Sequence, residues 1–230
     1  IVAAPVYSWK GFYAGVNAGG VWSNADTRLT ASTFFTSFAL IGADGSVGLD
    51  KSGFTGGVQA GYNWQFGQFV LGVEADINST NISNSKLMTR GAVPGLSLGY
   101  TIGESISSDW LVTLRARAGY AANSWLFYVT AGLAIADFDF TQGSFFPNCP
   151  CGIVGSDSGS KTGWTVGAGV EYAAWTNWTV KAEYLYVDLG RESFADNLGA
   201  FGFPTAAFTH SARLQENIFR VGLNYRFGGL

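Results

Sequence analysis

Alternation between apolar and polar side chains at every second position is the feature that most constrains the fold of this chain. Between Phe54 and Phe66 the even positions read Phe, Gly, Val, Ala, Tyr, Trp and Phe, and the odd positions read Thr, Gly, Gln, Gly, Asn and Gln. Successive side chains of a β-strand point to opposite faces. This segment is therefore predicted to be a strand that separates two different environments.

The same alternation recurs and predicts eight strands, with every charge excluded from the apolar faces. The segments are 12–22, 54–66, 69–78, 110–120, 125–135, 164–172, 178–186 and 219–227. All five prolines lie outside these segments, as a hydrogen-bonded ladder requires. No apolar run approaches the ~20 residues that a membrane helix needs, so the apolar residues are distributed over strands.

The connections between the predicted strands alternate in length. Short turns are expected at 67–68, 121–124 and 173–177, and long connections near 23–52, 79–109, 141–160 and 190–215. Short turns at one end and long loops at the other are typical of barrels that cross the bacterial outer membrane. The fold class predicted is therefore all-β: an eight-stranded antiparallel transmembrane up-and-down β-barrel with short periplasmic turns and four long extracellular loops.

A soluble barrel with its apolar face inward would show the same alternation. Here, however, glycine is concentrated on the polar face, for example at Gly15, Gly57, Gly119 and Gly167, while the apolar face carries the bulky side chains. The interior of an eight-stranded barrel is only wide enough to be filled by side chains, so glycine is expected there rather than on a surface that faces water. This distribution favours the membrane barrel.

Aromatic side chains lie at both ends of the apolar faces, which predicts the two aromatic girdles of a membrane barrel. At the ends next to the long connections are Trp22, Trp110, Trp164 and Tyr186. At the ends next to the short turns are Trp64, Tyr120, Trp125, Tyr172, Trp178, Tyr225 and Phe227.

Composition excludes several classes of protein. Charged residues make up 13% of the chain, against about 25% in an average soluble domain. The net charge is −3 and the 13 basic residues are scattered, which argues against a nucleic-acid partner. Two cysteines and one histidine are too few for a zinc site of the usual kind, so we expect no metal. No signal peptide is recognisable at the start, so in an exported protein it would have been removed.

Three segments resemble one family of surface proteins. The opening WKGFYAGVNAGG at 9–20, the segment WTVKAEYLYVD at 178–188 and the ending FRVGLNYRF at 219–227 are similar to small outer-membrane β-barrels of the opacity-protein and OmpA-like transmembrane group, the porin-family surface proteins of alphaproteobacteria. The resemblance implies an outer-membrane location, periplasmic termini and extracellular loops. It divides the chain into a periplasmic segment 1–8, one barrel 9–227 and a tail 228–230, Gly-Gly-Leu, which departs from the family's aromatic end.

Charged side chains on the polar faces form the first candidate site. They are four acids and four bases that the alternation points into the barrel: Glu74, Asp76, Arg115, Arg117, Glu171, Lys181, Glu183 and Arg220. Buried charges must be paired, so we interpret them as a salt-bridge network that fills the lumen. The alternative is a narrow path for ions. A catalytic site is not expected, because a filled lumen leaves no room for a substrate.

Residues in the predicted loops form the second group. Cys149 and Cys151 are candidates for a local disulfide, for free thiols or for cross-links to a neighbouring molecule. His210 is the only histidine; its ordinary interpretation is an exposed loop residue, and its alternative is an axial haem ligand. Loop aromatics such as Phe34 and Phe145 either pack the loops together or contact a partner.

These observations predict a non-enzymatic integral outer-membrane protein with a structural or surface-interaction role and a lumen plugged by charged residues. The expected partners are outer-membrane lipids and lipopolysaccharide, together with neighbouring copies or other envelope proteins. No cofactor is expected. The alternatives are a small porin that passes ions or small solutes, and a surface binder of haem.

Overall fold

The computed structural model of the chain describes residues 7–31, 48–91, 100–145, 152–198 and 203–227. They form eight strands, whose bounds are β1 Gly11–Ala31, β2 Gly48–Phe66, β3 Phe69–Arg90, β4 Tyr100–Ala122, β5 Trp125–Phe145, β6 Gly152–Ala173, β7 Trp178–Leu198 and β8 Phe203–Phe227. Within these ranges, helices of sufficient length and apolarity to cross a membrane are not found.

Each strand pairs antiparallel with the next, and β8 pairs with β1, so the sheet closes into a barrel. The predicted eight-stranded antiparallel barrel is therefore confirmed. Short turns connect β2 to β3, β4 to β5 and β6 to β7 at what we call the turn end; the long connections lie at the opposite end, the loop end. Closure leaves the membrane-spanning part of the sheet without an unpaired edge.

The strands extend farther at the loop end than apolar alternation predicts. They are 19 to 25 residues long, against the ~11 residues that span a membrane. The predicted strand ends were wrong there: β8, for example, already begins at Phe203, so His210 lies in a strand and pairs with Leu29 of β1. The physical reason is that strand pairing in water needs no apolar face, so these segments lack the alternating pattern.

Towards the loop end the barrel divides into two sheets. The pairing of β2 with β3 ends at Thr55 and Thr80, and that of β6 with β7 ends at Trp164 and Asp188. The other strand pairs continue beyond this level. One sheet, the β3–β6 extension, consists of residues 82–90, 100–108, 138–145 and 152–160; the opposite extension contains the ends of β7, β8, β1 and β2.

The two faces of the barrel wall differ as the alternation predicts. Outward side chains such as Phe12, Val58, Leu114 and Phe127 are exposed, and inward polar side chains are buried. At Gly132 an added Cβ would overlap the carbonyl oxygen of Leu114. The wall therefore needs glycine where neighbouring strands and interior side chains crowd together.

Candidate functional site

The structure places all eight predicted charges together in the interior. Glu74, Asp76, Arg115, Arg117, Glu171, Lys181, Glu183 and Arg220 are buried, although they come from β3, β4, β6, β7 and β8. Their side chains point inward because each occupies the same phase of the two-residue alternation as its neighbours. We call these eight residues the lumen ion-pair network.

Arg115 lies at the centre of this network. Its Nη2 contacts Glu74 Oε1 at 2.5 Å and Asp76 Oδ2 at 2.7 Å, and its Nη1 donates to Glu183 Oε1 at 3.0 Å. Its Nε donates to Thr113 Oγ1 at 2.9 Å. One planar guanidinium thus joins three carboxylates that come from two different strands, which is the geometry that arginine's fork of donors allows.

Arg220 and Lys181 complete the pairing on the other side. Arg220 donates from Nε to Glu183 at 2.9 Å, and from Nη1 and Nη2 to the two oxygens of Asp76 at 3.1 Å. Lys181 Nζ donates to Glu74 at 2.9 Å. Every carboxylate in this half of the network therefore contacts more than one cation, which offsets the free-energy cost of burying it.

Arg117 links the network to the turn end. Its Nη2 donates to Glu171 at 2.9 Å and its Nη1 to the Tyr13 hydroxyl at 2.6 Å, while the guanidinium lies 4.0 Å from the centre of the Tyr128 ring. Tyr13 in turn donates to Glu74 at 2.7 Å. Sequence analysis missed both tyrosines, although each occupies an inward position of the alternation.

Neutral polar side chains continue the network across the barrel. Asn17 donates to Gln59 at 2.9 Å, Gln59 to Asn224 at 2.6 Å, and Asn224 to Glu171 at 2.9 Å. Thr179 also donates to Glu171. The chain of bonds runs from β1 through β2 and β8 to β6, so polar groups span the interior at this level.

A small apolar layer lies beneath the network at the turn end. Trp9, Val70, Ala121, Leu126 and Tyr128 pack together, and we call them the turn-end layer. The backbone N–H of Trp9 donates to the Gln65 side chain at 2.6 Å, which holds the tryptophan in place. The segment before β1 thus contributes a buried side chain to the barrel interior.

A larger apolar layer lies above the network and was not foreseen. This loop-end layer consists of Val21, Leu111, Ala134, Ala136, Leu185, Val187, Leu189, Leu214 and Ile218, all buried. The sequence carries one signal for it: residues 184–187 read Tyr-Leu-Tyr-Val, so both faces of β7 are apolar there. The interior therefore has three levels, apolar, charged and apolar.

Glu216 is a second feature that sequence analysis missed. It is 1% exposed, and neither carboxylate oxygen has a hydrogen-bond partner among the described residues. Its neighbours across the ladder are Ser23 on β1 and Val187 on β7, and the inward residues before and after it on β8 are Leu214 and Ile218. Burial in these surroundings and the like charge of Asp137 both favour the neutral form of the Glu216 carboxyl group.

Aromatic side chains occur at two levels on the outside of the wall. At the loop end Trp164 packs against Tyr186, with ring centres 5.4 Å apart; at the turn end Trp178 packs against Tyr225 at 5.1 Å. On β4, Trp110 and Tyr120 are ten positions apart. At ~3.3 Å per residue and a tilt of ~40°, that separation is ~25 Å along the barrel axis, the height of the apolar band of such barrels.

Cys149 and Cys151 lie outside the described residues, and the structure describes only the backbone of His210. Their predicted states therefore stay expectations. Within the described ranges, groups of three or more histidine, cysteine, aspartate or glutamate residues that could hold a metal ion do not occur.

Comparisons with known proteins agree with this architecture. The model of the family described as outer membrane protein beta-barrel domain matches residues 2–227. The 31 kDa outer-membrane immunogenic protein of Brucella melitensis is 36% identical over 98% of this chain and 87% of its own length. A 22 kDa outer membrane protein of Rhizobium leguminosarum is 30% identical over 97% and 80%.

Solved structures are more distant in sequence. The crystal structure of Neisserial surface protein A is 15% identical, covers 94% of this chain and 97% of that protein, and has a TM-score of 0.45. The outer membrane protein OprG of Pseudomonas aeruginosa is 12% identical, covers 95% and 97%, and has a TM-score of 0.47.

Proposed function

Because this chain belongs to the family of outer membrane protein beta-barrel domains, we propose that it is a non-enzymatic structural protein of the outer membrane. Its closed barrel anchors two sheets outside the cell, and those sheets contact other components of the surface. Lipids and lipopolysaccharide of the outer membrane surround the barrel.

The layered packing of the interior is the observation that supports this proposal. An ion crossing the barrel meets the loop-end layer, then the lumen ion-pair network, then the turn-end layer. An apolar layer offers an ion nothing to replace its hydration shell, and the network's charges already neutralise one another. The interior therefore supports a rigid anchor rather than a channel.

The lengths of the strands support a role at the surface. All eight strands continue beyond the girdle at the loop end, so the barrel presents ordered sheet rather than loops alone. The related 31 kDa protein of Brucella melitensis is named as immunogenic. In this chain, the two sheets would form the surface that faces the outside of the cell.

Single-channel recording tests the closed lumen. The refolded chain is inserted into a planar lipid bilayer, with folding verified by heat-modifiable gel mobility and with a general porin as the conducting control. We expect no discrete current steps. A Lys181→Gln variant serves as the internal control, because steps that come from a contaminating porin would be identical in the variant.

Reproducible steps in the wild-type protein whose ion selectivity changes in Lys181→Gln would overturn the closed anchor. They would instead establish the alternative that the lumen charges form an ion path, and the protein would then be a small porin.

A further inference from the structure

The outward face of the β3–β6 extension is unusual for a surface in water. The strand registers align its outward residues in rows, and one row runs Leu87, Gly103, Gly143 and Val154 across the four strands. The row on the membrane side of it consists of hydroxyl-bearing residues: Ser85, Ser105, Thr141 and Ser156.

Three large apolar side chains on this face are exposed. Leu87 is 74% exposed, Val154 73% and Phe145 60%. Leu87 and Val154 stand on either side of a groove of about 500 Å³ that has Gly103 and Gly143 between them. A cluster of exposed apolar side chains beside a groove marks an interaction surface rather than ordinary solvent-exposed sheet.

The charge of the face limits what can cover it. Asp139 is the single charged residue at the outward positions of 83–89, 101–107, 139–145 and 154–158, and Lys86 contributes only at the margin of the groove. An anionic saccharide or phosphate would require several cations here. An uncharged partner surface of similar composition fits this face better.

The membrane determines how two copies can meet. Copies in one membrane share an orientation, so a closed pair has its twofold axis along the membrane normal and uses the same face of each copy. Residues nearest the axis then face their own equivalents. Gly103 and Gly143 occupy the middle of the face and have no side chains, so two backbones can approach there while Leu87 and Val154 pack around them.

We propose that this protein forms a homodimer through the outward face of the β3–β6 extension, with Leu87, Phe145 and Val154 as the apolar contacts around Gly103 and Gly143. The proposal names the partner for the surface-interaction role proposed above, and it does not depend on whether the lumen conducts.

Counting subunits in lipid vesicles tests this dimer. The chain carries one dye at its amino terminus and is reconstituted at decreasing protein-to-lipid ratios, and photobleaching steps are counted per spot. We expect two steps at high density and a dissociation constant that rises at least 10-fold in a Leu87→Arg, Val154→Arg variant. A milder Leu87→Ser, Val154→Ser variant is expected to weaken the dimer if the arginine variant does not refold.

Thr30→Arg is the matched control, because Thr30 is exposed on β1 in the opposite extension. It is expected to dimerise like the wild type. A wild-type protein that stays monomeric at every density overturns the proposal, as does equal weakening by Thr30→Arg. If instead lipopolysaccharide, but not lipid A alone, protects residues 83–89 from hydrogen exchange in a monomer, the face binds saccharide and the dimer is wrong.

The outcome is separable from that of the anchor proposal. Photobleaching measures the number of subunits, and the planar bilayer measures conductance. Either proposal can therefore be contradicted while the other remains supported.

Discussion

Arg115 shows how much of the interior depends on one residue. It contacts Glu74, Asp76 and Glu183, and all four side chains are fully buried. Lys181 and Arg220 also reach these carboxylates, but among the described residues only Arg115 donates hydrogen bonds to all three of them. Removal of one partner from a buried ion pair leaves a charge without compensation, which is far more damaging than the pair is stabilising.

We therefore expect Arg115→Ala to lower the free energy of unfolding by roughly 3–5 kcal/mol. The measurement is a urea titration in lipid vesicles, followed by tryptophan fluorescence. Arg28→Ala is the control, because Arg28 is exposed on β1; its effect is expected to stay within ~0.5 kcal/mol. A loss below ~1 kcal/mol in Arg115→Ala would show that water enters the network and solvates the carboxylates.

Glu216 is the opposite case, a buried carboxyl group whose oxygens have no partner among the described residues. When ionised it is a desolvated charge in an apolar layer, so the folded protein is less stable at a pH where the carboxyl ionises. The neutral acid carries no such penalty. Stability is therefore highest at low pH and falls as the pH rises, as far as this residue is concerned.

Glu216→Gln removes the charge with little change of shape. We expect it to stabilise the folded protein by about 1–3 kcal/mol at pH 8 and to have little effect at pH 4, where the wild-type side chain is protonated. The same urea titration at both pH values measures this difference. Asp139→Asn, at an exposed site, serves as the control. A stabilisation that is equal at both pH values would contradict the assignment of a buried, unpartnered charge.

At the scale of the element, each strand crosses the membrane and then continues into water at the loop end. The part of β4 between Trp110 and Tyr120 has an outward face of apolar side chains, whereas its loop-end part carries Ser105 and Ser107 outward. The irregularity between Ser107 and Leu111 separates the two parts, and there Asp137 accepts hydrogen bonds from the backbone N–H groups of Asp109 and Trp110. One strand thus changes its environment without ending.

The same substitution is therefore expected to have different effects along β4. Val112→Arg places a charge on the lipid-facing side and is expected to cost ~2–4 kcal/mol, the value for arginine at the middle of a bilayer. Ser105→Arg lies on the outward face of the same strand but in water. At a protein-to-lipid ratio low enough to keep the protein monomeric, it is expected to change stability by less than ~0.5 kcal/mol. Unfolding titrations in lipid that give equal losses for both variants would contradict the assigned membrane boundary.

At the scale of the whole molecule, the interior is packed at three successive levels, and under the proposed function we expect each of them to block an ion. The same strands contribute to successive levels: β4 supplies Leu111 to the loop-end layer, Arg115 to the lumen ion-pair network and Ala121 to the turn-end layer, which also includes Trp9 from the segment before β1. A substitution that opens one level is therefore expected to leave the other two closed.

Trp9→Ala tests this series. The variant loses the largest side chain of the turn-end layer and is expected to lower the free energy of unfolding by about 3–5 kcal/mol. Its lumen is nevertheless expected to stay non-conducting in a planar bilayer, because the network above it is unchanged. Trp175→Ala, an exposed tryptophan in the turn between β6 and β7, is the control for a surface site. Current steps in Trp9→Ala alone would show that the turn-end layer is the only barrier.

Much of this architecture could be predicted from the sequence because the two-residue alternation is a local property. At each position the alternation indicates whether a side chain faces lipid or the interior. This pattern predicted eight strands and eight inward charges such as Glu74 and Arg115. It also predicted aromatic residues such as Trp164 at the ends of the apolar faces. The pattern is absent from the loop-end parts of the strands, such as β8 from Phe203 to Arg213, and there the strands were predicted too short.

Pairing inside the barrel could not be predicted in this way. Arg220 contacts Asp76, which is 144 positions away, and Arg115 contacts Glu183, which is 68 positions away. These contacts depend on the register of all the strands between them and on closure of β8 onto β1. The sequence by itself determined the membrane-spanning part of each strand and the side of the wall that its residues face. Only the tertiary structure decided the ion-pair partners, the apolar layers and the isolation of Glu216, because these follow from closure, which no local pattern encodes.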